Sequence, residues 1–193
     1  MLRGLYNWTM RLAEHRHANG ALSVISFAES SFFPIPPDVL LIPMVLAQRA
    51  KAFLIALNCT VSSVLGGLAG YAIGYFLYEA VGQPVLEFYG YADKFADFQS
   101  RYNEWGAWIV FIAGVTPFPY KVITIASGVS ALSLPTFIIA SIIARGLRFF
   151  LVAGLLWKFG VPIRDFIERY LGLLFTLFVV LLLGGFVLLK YVI

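Results

Sequence analysis

Residues 52–78 form a run of 27 positions without a single Asp, Glu, Lys or Arg. A helix that crosses a bilayer needs about 20 consecutive apolar residues, so this run alone predicts a transmembrane span with room to tilt. Residues 171–189 give a second uncharged run of 19 residues. Composition agrees. The chain is 61% hydrophobic and 12% charged, against about 25% charged in soluble domains. So few charges cannot cover a soluble surface, and so high an apolar content excludes disorder. The expectation is a single all-α, multi-pass membrane domain over residues 1–193. The net charge of +4 sets orientation or meets anionic lipid; no nucleic acid is expected as a partner.

Two further apolar regions are broken. Residues 21–47 contain Glu29 and then Pro34-Ile35-Pro36-Pro37-Asp38; residues 106–144 contain Thr116-Pro117-Phe118-Pro119-Tyr120-Lys121. Proline removes an amide donor and clashes with the preceding turn, so clustered prolines end a helix rather than bend it. The pieces on either side are too short to cross a hydrocarbon core about 30 Å thick at 1.5 Å per residue. Each broken region therefore reads as a re-entrant helical hairpin, over 21–47 and 107–134. Full spans follow at 52–78 and 136–157, and the last span is 171–189. The breaks share the pattern P-x-P-x-charge at an offset of 83 residues. One span separates them, so the two units form an inverted repeat by parity. Paired broken helices of this kind point to transporters with a site near the midplane.

Residues 2–18 alternate apolar and charged positions at helical spacing and read as an interfacial helix. Residues 79–105 carry acids among aromatics and read as an external amphipathic segment. With this topology eight Lys and Arg (Arg3, Arg11, Arg16, Arg49, Lys51, Lys158, Arg164, Arg169) face one side and three (Lys94, Arg101, Lys190) the other. The positive-inside rule then places the N-terminus in the cytoplasm and the C-terminus outside; the expected location is the inner (plasma) membrane.

Five ionisable residues fall at membrane depth: Glu29, Asp38, Lys121, Arg145 and Arg148. Each costs about 2.5–3.5 kcal/mol at a helix centre on insertion scales, so they must pair, face the interior or line water. Two acids and three bases leave one base in surplus, which suits an anionic headgroup. Arg145 and Arg148, at i and i+3, share a helix face and can grip one phosphate together. The carboxylates either brace the hairpin as static pairs or respond to protons. Lys121 either binds or snorkels. Gly66, Gly70 and Gly74 recur every fourth residue, a small-residue stripe for close helix packing within one chain or in a homo-oligomer. Histidines His15 and His17 do not share a face, no metal or cofactor set is visible, and no catalytic motif is present, so no enzyme is expected.

The run from Glu29 through Pro34, Pro36 and Pro37 to Asp38 resembles the first signature of the DedA superfamily, E-x4-P-x-P-x-[DE], the bacterial relatives of SNARE-associated Golgi and vacuole-membrane (VTT-domain) proteins. The resemblance covers roughly residues 20–160 and looks closest to the YqaA-like branch. It implies transport of a lipid, a phospholipid or undecaprenyl phosphate, by a flippase or scramblase in support of envelope integrity, with protons as a coupling partner. The family's acids carry over to Glu29 and Asp38. Its second signature departs here: Gly114 and Lys121 stand near the places of its arginines, and the nearest arginines are Arg145 and Arg148. Two other functions remain open from sequence, a proton- or ion-coupled carrier of a small soluble solute and a non-transporting envelope assembly factor.

Overall fold

The computed structural model describes residues 17–32, 35–116, 118–160 and 162. The expected interfacial helix over 2–18 lies outside them except for its last two residues, as do the expected span over 171–189 and the prolines Pro34 and Pro117. The described residues are all-helical, without a strand. The helices are α1 (Ala18–Ser31), α2 (Asp38–Ala47), α3 (Ala52–Leu77), α4 (Gln83–Phe88), α5 (Ala92–Val115), α6 (Tyr120–Val129) and α7 (Leu134–Gly160).

Among the described residues, two helices are long and apolar enough to cross a membrane: Arg49–Phe88, which contains α3, and α7. The first has 40 residues, about 60 Å of rise, twice a hydrocarbon core. Its tail therefore projects beyond the apolar layer, where a π-helical turn, Tyr78–Gly82, leads into α4. Gly90, in the left-handed region at φ 69°, ends α4 and turns the chain into α5. That helix continues without interruption from the charged stretch Asp93–Glu104 into the apolar stretch ending at Val115, so the amphipathic segment and the first arm before the second break are one rod. Gly106 stands at that change of composition, packed against Leu132, and the helix passes through it.

Helix direction follows from contacts. Small polar side chains couple α1 to α3 at Ser23–Asn58, Ser26–Cys59 and Ser30–Ser63. Both members of each pair advance along the chain together, so α1 and α3 run the same way and α2 returns the chain between them. Between α3 and α7, the partners of Phe53, Ser63 and Tyr71 are Trp157, Arg145 and Phe137; here one index rises as the other falls, so these two helices are antiparallel.

The glycines allow the close approach. A Cβ on Gly66 would overlap the Phe27 carbonyl of α1, one on Gly70 would meet Thr124 of α6 and the Ser30 carbonyl, and one on Gly74 would overlap the Ile125 carbonyl of α6. Gly128 of α6 answers from the other side, against the Tyr71 carbonyl. Helix α3 is thus held backbone to backbone by α1 and α6, with a distance between axes that any side chain would increase. Two apolar cores result. One joins α1, α2, α3 and the last half of α7 around Leu22, Leu41, Met44 and Phe149. The other joins α5, α6 and the first half of α7 around Val110, Tyr120 and Phe137.

Candidate functional site

A polar layer lies between the two cores. Ser63 is the twelfth residue of α3, and Arg145 the twelfth of α7, so both stand near the middle of their helices. Arg145 Nε donates to Ser63 Oγ at 2.5 Å and Arg145 Nη2 to Glu29 Oε2 at 2.8 Å. Ser30 links the set, its hydroxyl 2.7 Å from Ser63 Oγ and 3.1 Å from Glu29 Oε2. The guanidinium is sandwiched between the rings of Tyr120, 4.8 Å away, and Phe149, 4.7 Å away, and the Tyr120 hydroxyl donates to Ser141 at 2.5 Å. A planar cation between two ring faces gains both attraction and shielding. The Arg145 side chain is 1% exposed and that of Glu29 15%.

One turn further along α7, Arg148 Nη2 donates to Asp38 Oδ2 at 2.6 Å and Nη1 to the Thr116 carbonyl at 3.1 Å. Both partners come from helix breaks. Asp38 is the first residue of α2, after buried Pro37, where a helix start favours negative charge. Thr116 caps the end of α5, where carbonyls lose their helical donors. Arg148 therefore ties the first break to the second. A parallel repair occurs at α1, where Thr124 Oγ1 of α6 donates to the Ser30 carbonyl at 3.0 Å. The Arg148–Asp38 pair is more open than the first, with side chains 19% and 22% exposed.

Of the five charges singled out in sequence, four form these two pairs. Lys121, the second residue of α6 and half-buried, has no carboxylate partner among the described residues. Pro36, Pro37 and Pro119 lie in the two breaks. Sequence reasoning did not select Ser63, Tyr120 or Phe149. A serine inside a long apolar helix and a tyrosine beside the proline pair were the available signals. No group of three or more His, Cys, Asp or Glu that could hold a metal occurs among the described residues.

The family model that matches this chain is the VTT domain, over residues 35–158. That interval holds Asp38, Arg145, Arg148 and the second break, begins inside the first at Ile35, and excludes Glu29. An uncharacterized protein of Haemophilus influenzae is 41% identical over 168 residues, covering 85% of this chain and 87% of the relative. An uncharacterized homolog in Histophilus somni is 37% identical over 168 residues, with the same coverage. No solved structure matches the chain.

Proposed function

The chain belongs to the VTT-domain (DedA) family of membrane proteins, and from that premise we propose that it moves a phospholipid or polyprenyl phosphate between leaflets as a flippase or scramblase, without covalent chemistry of its own. The observation that carries this reading is Arg148, which bridges the carboxylate of one helix break and the bare carbonyl of the other in a partly open setting. A lipid phosphate can replace Asp38 on that guanidinium fork, and Lys121 supplies the surplus positive charge. The sealed Glu29–Arg145 pair braces the core beside it.

In this reading the two broken segments are re-entrant hairpins and the chain is an inverted repeat, about a site near the midplane. The shared direction of α1 and α3, and the opposed direction of α3 and α7, support that arrangement. So does length: α1 has 14 residues and α2 10, about 21 and 15 Å, short of a bilayer core. The protein sits in the inner membrane with a cytoplasmic N-terminus, and its activity supports the envelope. Coupling of that flux to protons is part of the proposal. The YqaA-like branch belongs to the same reading.

The test is lipid flip in proteoliposomes. Purified protein is reconstituted with a phospholipid labelled at the headgroup, and the outer-leaflet dye is quenched with and without a pH gradient. Quenching well beyond half of the dye supports the proposal, and dependence on the gradient separates coupled transport from scrambling. Quenching that stops at half, for labelled phospholipid and labelled polyprenyl phosphate alike, contradicts it. If such vesicles pass a small anion instead, the protein is a carrier of soluble solutes.

A further inference from the structure

A second polar feature lies away from the midplane layer. A half-open cleft of about 270 Å³ between the starts of α1 and α3 is lined by Asn19, Gly20, Ser23, Lys51, Asn58 and the apolar pair Leu54 and Ile55. Hydrogen bonds from Ser23 and Asn58 join α1 to α3 here, but helix packing uses neither Lys51 nor the side-chain amide of Asn19. Gly20 sits inside a helix, where glycine costs about 1 kcal/mol against alanine, yet a Cβ there would meet nothing within 4 Å. Packing does not require a glycine at that position, and its missing side chain leaves that wall of the cleft open.

The lining is rich in donors and contains no carboxylate. Asn58 Nδ2 donates one proton to the Asn19 carbonyl at 3.0 Å and has a second to give. The Ser23 hydroxyl lies 2.9 Å from Asn58 Oδ1 and from the Asn19 carbonyl, which orients that amide. The side-chain amide of Asn19 and the ammonium of Lys51 have no partner among the described residues. The neighbouring Arg49, by contrast, is committed to the carbonyls of Trp157 and Lys158 at the end of α7.

Depth selects the ligand. Counting back along α3 from Ser63 at 1.5 Å per residue, Asn58 lies about 7 Å, Leu54 about 13 Å and Lys51 about 18 Å from the central layer. Half of a hydrocarbon core is about 15 Å. Lys51 therefore reaches the phosphate plane, while Leu54 and Asn58 lie at acyl-chain level, where bare amide donors are costly unless an acceptor comes to them. An amphipathic molecule with a phosphate at one end, ester carbonyls below it and an apolar tail satisfies all three levels.

We propose that this cleft is a binding site for the glycerol-phosphate portion of an anionic membrane phospholipid, distinct from the Arg148 site. The proposal rests on α3 spanning the membrane and not on lipid movement. The full chain in neutral detergent is titrated with phosphatidylglycerol, with phosphatidylcholine at the same mole fractions, or with inorganic phosphate, and thermal unfolding is followed. Phosphatidylglycerol raises the melting temperature saturably. Lys51→Gln and Gly20→Leu, both at exposed positions, melt like wild type without lipid; Lys51→Gln needs about fivefold more phosphatidylglycerol for half of the effect, the worth of one lysine at a membrane surface, and Gly20→Leu, which fills the cleft, also needs more. Equal shifts from phosphatidylcholine, or a response unchanged in both variants, overturn the proposal. Inorganic phosphate reproducing the full shift overturns the lipid as occupant. No flux is read, so a failed flip assay leaves this result intact, and the reverse holds too.

Discussion

Glu29 and Arg145 stand 116 positions apart and meet at 2.8 Å, with the guanidinium 1% exposed. Removing one partner of such a pair strands the other charge in the core. Arg145→Ala should destabilise the protein by about 3–5 kcal/mol. Glu29→Gln combined with Arg145→Ala should recover part of that loss, and wild type, the two single variants and the double variant together give a coupling energy between the two positions. Thermal unfolding of the four proteins in detergent checks this. Additive losses would mean that the pair contributes nothing as a pair.

Cys59 offers a native reporter. It is the only cysteine in the chain and it is fully buried, so a maleimide should label it only as the protein opens. Wild-type protein at room temperature should remain unlabelled over a time in which heat-unfolded protein is labelled completely.

That reporter can read the glycine contacts. Gly74→Ala and Gly128→Ala each push a methyl group into a backbone carbonyl across the α3–α6 interface and should lower stability by about 1–3 kcal/mol, the cost of overpacking. Gly154→Ala is the control. Its nearest neighbour is the Phe53 ring at 4.0 Å, so it should be neutral or gain up to about 1 kcal/mol of helix propensity. Labelling of Cys59 during a temperature ramp ranks the three.

Lys121 has no carboxylate partner among the described residues, and the proposed function gives its charge to the substrate. Lys121→Gln should slow lipid flip and Lys121→Glu abolish it, with melting unchanged in the first. Equal flip in wild type and Lys121→Glu would reassign Lys121 to the surface, with its ammonium drawn out to the headgroups.

Much of this arrangement is legible in the residues themselves. The uncharged run 52–78 predicts α3, the apolar stretch after the second break predicts the span 136–157 inside α7, the prolines mark where helices stop, and five charges in apolar surroundings mark a polar layer, because each follows from local composition. Which base takes which acid does not. Ser63 and Arg145 are 82 positions apart, and only the packing of α1, α3 and α7 brings them to one level. The sandwich of Arg145 between Tyr120 and Phe149 has no sequence signal, since an aromatic beside a span is ordinary. The continuity of α5 was hidden for a different reason. A change from charged to apolar composition suggests a boundary, and Gly106 sits at it, but a single glycine costs a helix only about 1 kcal/mol and α5 runs through.

The most direct test of the central claim is headgroup-dye flip in proteoliposomes by Asp38→Asn and Arg148→Gln beside wild type, each first shown to keep Cys59 protected. The account predicts that wild type exposes well over half of the dye to the quencher and that both variants stop at half, because the partly open pair at the junction of the two breaks is where the phosphate is held. Wild-type flip in both folded variants would contradict it.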